Sequence, residues 1–339
     1  MRKYNKLMKT LAVGMIAMSL LAGCGEPPKT EGTTQEVQQA DEKSETSEQN
    51  EFKIFYPEYA KEQRGEALVL KEMPSKIICL SNTALGILAD LDIKPIAITS
   101  TVSGEYPDWV NELPKIETGM SKLDTESVIA MQPDLVIMGN HLEQDFGQVL
   151  TDAGIPIYYT SEGHGIAYQE TKEQAIAIAQ SFGGEEEKEK INNLFQGVED
   201  KAKQYKEAHQ PKKAMILFTT TYQSTSKSYL GSMLEMLGFE NISDTMIDPS
   251  MMTAPLDMEQ LMNQNPDVIF ALYPGVPTNE MVQKTFEEEF TKNPEVWEHL
   301  SAIKDGKIIY LSGAYATAKG LNAVDHFDEL INKLEETLK

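Results

Sequence analysis

The chain has 339 residues, of which 41% are hydrophobic and 24% are charged, and its formal net charge is −23. So acidic a chain argues against nucleic acid as a partner, because that binding depends on neutralising phosphates. It also argues against a basic surface that docks on anionic lipids.

The first 24 residues have the pattern of a leader peptide that ends at a lipobox. Four basic residues precede an apolar run, 11–21, that is too short to span a bilayer comfortably. The sequence LAGC (21–24) resembles the bacterial lipobox, so Cys24 is predicted to become a lipidated N-terminus. Removing the four basic residues leaves a mature charge of about −27. Lipid chains anchor a protein by burying their methylenes in the membrane. The alternative is an ordinary secretory signal with a stray cysteine.

Residues 25–51 are predicted to form a disordered, acidic tether. They are rich in Glu, Gln, Thr and Ser and have almost no large apolar side chains. Such a segment cannot bury enough surface to offset the entropy of ordering it. It would act as a flexible connection between the lipid anchor and the folded part of the chain.

An internal repeat predicts two lobes. The segments ESVIAMQPDLVI (126–137) and EQLMNQNPDVIF (259–270) share a glutamate, then a Pro-Asp pair, then three apolar residues. In both, the glutamate opens a short helix, the proline ends it, and an apolar strand follows. The flanking runs also follow a similar order. We therefore predict an α/β fold with two doubly wound lobes, 52–182 and 211–339, each on a short, mostly parallel sheet.

A long helix is predicted to join these lobes. Gly183-Gly184 break the helical segment that follows the first lobe, and the linker is predicted over 183–210. Its helix, ending near Ala208, would be on the order of 36 Å long at 1.5 Å per residue. A helix of that length can cross from lobe to lobe, leaving a ligand cleft between them and little hinge motion. The alternative is a surface helix within one lobe.

The order of these features resembles class III substrate-binding proteins of ABC importers, which carry siderophores, haem or cobalamin. The resemblance spans 52–339 and rests on the lipobox, the tether, the spanning helix and the segments PSKIICLS, ESVIAMQPDLVI and VWEHLSAIKDGKIIYL. It implies two lobes joined by a rigid helix, with the ligand held between them.

Within that class, the chain is similar to the iron-regulated surface-determinant haem lipoproteins of Gram-positive bacteria. The segments that carry this similarity are GMSKLDTESV, SKSYLGSMLEMLGFENI and YPGVPTNEMVQKTFEEEF. The similarity implies a lipid-anchored protein on the outer face of the cell membrane that captures haem and delivers it to an ABC permease. Cell-wall haem proteins are a candidate source of that haem. A ferric siderophore or cobalamin is the alternative ligand.

Three residues are candidate iron ligands. In the haem proteins a methionine in the first turn region ligates iron, and Met120 falls at that place, one residue further from Glu126. A thioether is soft and uncharged and serves as an axial haem ligand. Those proteins have a histidine where Pro274 stands here, so the preceding Tyr273 is a candidate second ligand. His141 is an equal candidate, because it follows a strand at the sheet edge where doubly wound folds bind ligands.

Each of these candidates has a structural alternative. Met120 would otherwise pack on a neighbouring loop, and Tyr273 would end a strand with a solvated hydroxyl. If Met120 and His141 were the two axial ligands, both would come from one lobe. That arrangement is less natural for a ligand sandwiched between lobes.

Three further segments could line the cleft. The loop and helix start LSNTALG (80–86) offers backbone N–H groups for an anion. The predicted polar loop TTTYQSTSKSY (219–229) offers hydroxyls and an aromatic ring, and SGAYATAKG (312–320) offers a ring to stack on a flat ligand. Helix capping and surface packing are the alternatives. The candidate ligand-binding residues are Ser81, Asn82, Thr83, Tyr222 and Tyr315.

The arginine count bears on the choice of ligand. After Arg2 only Arg64 remains, and we expect it to lie near the tether because it follows that segment closely in the chain. A trianionic siderophore usually needs bidentate or clustered arginines, whereas haem carries two carboxylates at one edge. The composition therefore favours haem.

The repeated glutamates, Glu126 and Glu259, have a separate predicted role. The resemblance implies that they stand on the two lobe tips and engage arginines of the permease. A negative charge in the first turn of a helix is the simpler explanation for each alone.

No enzymatic motif stands out. The chain lacks G-x-S-x-G and a phosphate-binding loop, and no nucleophile has an evident base. The prediction is a binding protein, with an enzyme on a two-lobed fold and an adhesive lipoprotein as alternatives.

Overall fold

The computed structural model describes residues 51–102, 106–119, 121–162, 166–317 and 320–338. The predicted leader, and all of the predicted tether except Glu51, lie outside the described residues. The described part begins with an antiparallel strand pair and a short helix, namely β1 (Phe52–Phe55), α1 (Glu58–Arg64) and β2 (Ala67–Leu70).

The first lobe is built on a parallel sheet. Its elements in chain order are β3 (Ile77–Cys79), α2 (Asn82–Asp90), β4 (Ala97–Thr99), α3 (Asp108–Glu112), β5 (Lys115–Ile116), β6 (Thr118–Gly119), β7 (Lys122–Leu123), α4 (Thr125–Ala130), β8 (Leu135–Gly139), α5 (Gln148–Asp152) and β9 (Ile157–Thr160). The strands lie in the order β5-β4-β3-β8-β9, and neighbours are parallel. The order reverses between β3 and β8, which is the switch point of a doubly wound sheet. β6 and β7 form a separate small hairpin.

The connecting helix, α6 (Tyr168–Ala208), is folded into two antiparallel arms. Gly184 has a φ of 71°, so the helix direction changes at the predicted glycine pair. Beyond this bend the second arm runs back along the first, because Lys172 pairs with Glu199 at 2.5 Å. The Tyr168 ring also lies 5.7 Å, edge-on, from the Phe195 ring.

The second lobe repeats the plan with a mixed sheet. Its elements are β10 (Lys213–Leu217), β11 (Tyr222–Ser224), α7 (Tyr229–Met236), β12 (Glu240–Asn241), β13 (Thr253–Pro255), α8 (Met258–Gln264), β14 (Val268–Leu272), α9 (Asn279–Lys292), α10 (Pro294–Trp297), α11 (Ser301–Lys304), β15 (Ile308–Leu311) and α12 (Asn322–Thr337). The strand order is β13-β11-β10-β14-β15, and β12 also pairs with β10.

The sheet of this lobe is mostly parallel, as predicted, with β12 also parallel to β10, but it contains two antiparallel pairings that were not predicted. β10, β14 and β15 are parallel, whereas β11 is antiparallel to β10 and β13 is antiparallel to β11. The polar segment 219–229, predicted to be a loop, therefore contains a strand. The chain reverses tightly after β10, since the backbone N–H groups of Phe218 and Thr219 both donate to the Tyr222 carbonyl.

Alternate residues of the central strands face opposite layers of helices. In β8, Leu135 and Ile137 join the cluster shared with α2 and α6, whereas Val136 and Met138 join a separate cluster. The strands of the second lobe divide their side chains in the same way. Each sheet is therefore covered on both faces, as parallel sheets require.

One hydrophobic cluster extends through both lobes. It contains Ile87 of α2 in the first lobe, Phe195 of α6, and Phe270 and Phe327 of the second lobe. The backbone N–H of Tyr168, at the start of the first arm, donates to Ser232 Oγ of α7 at 2.9 Å. The connection predicted as one helix over 183–210 thus involves both arms. The two-lobed fold with a long connecting helix is confirmed.

The aspartate of the repeated Pro-Asp pair links two neighbouring central strands in each lobe. The Asp134 carboxylate accepts hydrogen bonds from the backbone N–H groups of Ser75 and Lys76, both at 2.8 Å. In the second lobe, Asp267 accepts from the backbone N–H of Lys213 at 2.8 Å. In each lobe the aspartate at the start of one strand therefore caps the start of its neighbour.

Asp134 gives a prediction for the dependence of stability on pH. Burial alone would raise its pKa, but hydrogen bonds from Ser75 and Lys76 outweigh burial and hold the pKa below its usual value. A carboxylate of this kind stabilises the fold above its unfolded pKa, and that contribution is lost as pH falls through the folded pKa. We expect Asp134→Asn to lower the free energy of unfolding at pH 7, with the deficit shrinking below about pH 4.

Urea unfolding of both proteins at pH 7 and pH 3 measures this effect. Asp145→Asn, on an exposed side chain, is the control. A deficit for Asp134→Asn of the same size at both pH values would contradict the prediction.

Candidate functional site

The candidate site is formed by the sheet edges of the two lobes at the carboxyl ends of their parallel strands. Open α/β sheets bind ligands at this edge, next to the switch point. In the first lobe the edge consists of the segments after β3, β8 and β9. In the second lobe it consists of the segments after β10, β14 and β15. We call the space that these segments border the candidate cleft.

A close backbone approach joins the two edges. Gly320, in the segment after β15, has a φ of 54°, and a Cβ there would lie 2.9 Å from the Thr83 carbonyl oxygen of α2. Only glycine combines that backbone conformation with so close a contact. The loops of the two edges therefore meet directly at one side of the candidate cleft.

His141 lies at the first-lobe edge, in a short 3₁₀ turn (Asn140–Leu142) after β8. Its ring hydrogen-bonds to the backbone of Gly119 at the end of β6. Partial burial lowers the pKa of His141, and the bond to Gly119 opposes this only in part. The imidazole is thus favoured in its neutral form, the form that donates a lone pair to a metal.

Met120 itself lies outside the described residues. Its chain neighbour Gly119 is the group to which His141 bonds. Of the two first-lobe candidates, the structure therefore places His141 at the corner of the edge where β6 ends.

Tyr273 is the first residue after β14 and is half-buried. Its backbone is held by a close packing of loops, because a Cβ on Gly313 would lie 2.7 Å from the Tyr273 carbonyl oxygen. The Gly313 N–H also donates to Val276 at 2.7 Å. Counted from the repeated glutamates, β8 and β14 fall at matching positions. His141 and Tyr273 thus follow equivalent strands in the two lobes.

Two residues predicted to line the first-lobe edge are fully buried. Ser81 and Thr83 are 0% and 2% exposed, so they present no open surface. Ser81 is the N-cap of α2, where its Oγ accepts from the Ala84 N–H at 3.1 Å, and its hydroxyl donates to the Glu162 carboxylate. The anion predicted for this helix end is thus supplied by the chain itself. Asn82 is half-buried beside it.

Of the two aromatic rings predicted to contact a ligand at the second-lobe edge, only one is exposed. Tyr222 is 45% exposed at the start of β11. Tyr315 is 1% exposed, its ring stacks on His326 with centroids 4.6 Å apart, and its hydroxyl donates to the His326 carbonyl. The expected stacking of Tyr315 on a ligand therefore needs a correction, because α12 already covers that ring.

The repeated glutamates occupy the same position on equivalent helices. Glu126 and Glu259 are each the second residue of a short helix, α4 and α8, and both are exposed. Each helix is capped two residues earlier, by Asp124 and Asp257, whose carboxylates accept from the N–H groups of Ser127 and Gln260 at 3.0 Å. Since the aspartates do the capping, the glutamates are not needed as caps and contribute to helix stability only through their charge in the first turn.

Arg64, the last residue of α1, is held at the segment that follows β8. Its guanidinium pairs with both oxygens of Glu143 and lies over the Tyr159 ring, 4.5 Å from the centroid. This pairing holds α1 against the first lobe. Arg64 is the one arginine in the part of the chain that the structure describes.

Two kinds of feature are absent from the described ranges. No helix there is both long and apolar enough to cross a membrane. No group of three or more His, Cys, Asp or Glu side chains there is arranged to hold a metal ion.

Two residues at the site were missed by the sequence reasoning. Glu162, after β9, accepts from Ser81 and, at 3.2 Å, from the Thr160 hydroxyl. Gly139 ends β8 directly beneath the His141 ring. The rule that ligands bind at the carboxyl ends of strands points to Glu162, whereas the local sequence gives no signal for Gly139.

The fold and the site together define a class of protein. Two doubly wound lobes joined by a long helix are the architecture of a protein that holds a ligand between its lobes. Residues 77–315 match the model of the periplasmic binding protein family, and the chain belongs to that family. Its members bind solutes, and the predicted relationship to class III substrate-binding proteins of ABC importers is confirmed.

Relatives within this class carry different ligands. The chain is 26% identical to the high-affinity heme uptake system protein IsdE of Staphylococcus aureus over 227 residues, 65% of this chain and 73% of IsdE. The structure of IsdE complexed with heme aligns with a TM-score of 0.62 at 20% identity, over 76% of this chain and 98% of IsdE.

Two other solved structures align equally well. A substrate-binding protein of an ABC transporter from Listeria monocytogenes gives a TM-score of 0.64 at 23% identity, over 77% of this chain and 98% of the other. Staphylococcus aureus SirA complexed with staphyloferrin B gives a TM-score of 0.61 at 19% identity, over 80% of this chain and 96% of SirA. Structural similarity alone therefore does not distinguish between these ligands.

Proposed function

We propose that this protein captures haem and delivers it to the permease of an ABC importer. In this proposal Cys24 carries the lipid anchor, and the protein acts at the outer face of the cell membrane of a Gram-positive bacterium. The observation that carries the proposal is the matching placement of His141 and Tyr273, one on each lobe, at the edge where this fold binds ligands. The relationship to IsdE supports it.

Haem would lie between the lobes with its iron facing one ligand from each. His141 suits the first-lobe side because its imidazole is partly desolvated and favoured in its neutral form. Met120 is the alternative on that side. Tyr273 supplies the second-lobe ligand, since a phenolate is an established axial ligand of haem iron. The exposed Tyr222 ring would add a flat apolar contact.

The distribution of charge supports haem over a trianionic siderophore. The bidentate pairing of Arg64 with Glu143 already neutralises that guanidinium with a carboxylate of the chain itself. Haem presents a large apolar face and only two carboxylates, so it makes a smaller demand for cationic side chains.

Delivery requires contact with the permease, for which we propose Glu126 and Glu259. They are exposed, stand at equivalent places on the two lobes, and have no ion-pair partner among the described residues. A pair of carboxylates held at a fixed separation by a shared core can pair with two basic groups at once. Such pairs set orientation as well as affinity.

A titration of the mature chain with haemin tests the proposal. We expect a saturable shift of the Soret band at one equivalent. His141→Ala and Tyr273→Phe should each move the band and weaken binding at least about tenfold, or ~1.4 kcal/mol. Met120→Ala shows which first-lobe residue ligates iron: a moved Soret band in this variant, with none in His141→Ala, would assign the ligand to Met120. A wild-type spectrum that remains that of free haemin would reject haem as the ligand.

A ferric siderophore is the second candidate, with cobalamin as a further alternative within the same class. The same fold holds staphyloferrin B in SirA, so the fold admits this ligand class as well as haem. Quenching of tryptophan fluorescence by each ligand would distinguish these cases, because the half-buried Trp109 lies in the first lobe.

A further inference from the structure

Gly139 stands at the end of β8 with a backbone conformation that any residue can adopt. Its φ is −63° and its ψ is 140°, which lies in the ordinary extended region. The need for glycine here therefore does not come from the backbone. It has to come from the space around the Cα atom.

That space is filled by two side chains. A Cβ on Gly139 would lie 2.5 Å from both Cε1 and Nδ1 of the His141 ring, and 2.9 Å from Cγ of Glu162. Distances under 3 Å between such atoms are not tolerated, so any larger residue would force one of them to move. The ring can move by rotating about its side-chain bonds, and the fold survives that movement.

The position of the ring matters because of its other contact. With His141 folded back over Gly139, the imidazole reaches the backbone of Gly119 at the end of β6. A ring nitrogen that is fixed by a backbone hydrogen bond leaves the other nitrogen with its lone pair in a defined direction.

We propose that Gly139 is a positioning residue, whose missing side chain lets the His141 imidazole fold over the strand end and face the candidate cleft. The proposal deepens the proposed function and rests on it, since it assigns the first-lobe iron ligand to His141. Gly139 does not touch the ligand itself. It acts on affinity only through the imidazole.

The test begins without haem. In the ligand-free mature chain, ¹⁵N NMR of the histidine rings should show one tautomer for His141, held by the bond to Gly119. In Gly139→Ala that signal should change towards a mixture of tautomers. Gly197→Ala, at an exposed site in α6 where the added methyl meets no other side chain or element within 4 Å, should leave it unchanged. An unaltered His141 signal in Gly139→Ala would overturn the proposal whatever the ligand is.

The second stage uses haemin and a double-mutant cycle. Loss of an outer-shell support costs on the order of 10–100-fold in metal affinity, and we expect that loss for Gly139→Ala, together with a shifted Soret band. Adding Gly139→Ala to His141→Ala should then cost nothing more, because the ring is already absent. An equal further loss in that background would show that Gly139 acts through Glu162 or the general fold, and would reject the proposal.

The two failures are distinguishable. If wild-type protein does not bind haemin while Gly139→Ala still alters the His141 signal, the haem function fails and the packing link between Gly139 and His141 stands. If wild-type protein binds haemin and Gly139→Ala binds equally well with the same spectrum, the haem function stands and the positioning role fails.

Discussion

Reversing the charge of both Glu126 and Glu259 to lysine is expected to abolish stimulation of the permease ATPase while leaving haem binding unchanged. Both side chains are exposed at the second position of helices that Asp124 and Asp257 already cap, so the folded lobes should tolerate the change. Loss of one partner of a docked charge pair costs about 2–5 kcal/mol, and two lost pairs would reduce complex formation by several orders of magnitude. The measurement is haem-dependent ATPase activity with the cognate permease in nanodiscs.

Glu280→Lys provides the matched control. Glu280 is also an exposed second residue of a helix, α9, and Thr278 caps that helix. The control therefore has the same helix-dipole cost and the same change of net charge. Each single reversal should give a partial loss. If Glu280→Lys impaired stimulation as much as either repeated glutamate, net charge rather than docking would explain the effect.

Truncating Phe195 to alanine should produce the largest loss of stability. Phe195 is 0% exposed in the second arm of α6, packs edge-on against Tyr168, and belongs to the cluster that runs through both lobes. Removing a buried phenyl ring costs about 3–5 kcal/mol, a large part of the 5–15 kcal/mol that stabilises a typical protein. Guanidinium unfolding, followed by circular dichroism, measures it.

The neighbouring Leu194→Ala is the control, because Leu194 is only half-buried on the same arm. Leu194→Ala should lower the free energy of unfolding by much less than Phe195→Ala does. Both proteins should unfold in one transition. If Phe195→Ala instead split the curve into two transitions with an unchanged first midpoint, the lobes would be independent of the helical connection.

The lobe architecture could be predicted because its signals are repeated along the chain. The segments 126–137 and 259–270 each contain a capped helix, a proline stop and an apolar strand, and both copies fold as expected. The bend in α6 was also predictable, since Gly184 adopts a backbone angle that helices exclude. The antiparallel β11 was not, because the run of threonines and serines there suits a loop as well as a strand.

The candidate site was harder to predict, because burial and side-chain direction depend on distant parts of the chain. Ser81 could be placed at a helix start from local sequence, but its bond to Glu162 joins residues 81 positions apart. The sequence around Tyr315 suggested a ring that is free to contact a ligand. In the structure α12 covers that ring, because His326 stacks on it. Gly139 carries no local signal, since its importance lies in the side chains that occupy the space above it.

The shared cluster also bears on when the chain can fold. It includes Ile54 of the first strand and Leu334 of the last helix, together with residues of α6 between them. A chain synthesised from its N-terminus cannot complete this core until α12 has emerged. The early segments therefore cannot reach their native packing until synthesis of the chain is almost complete.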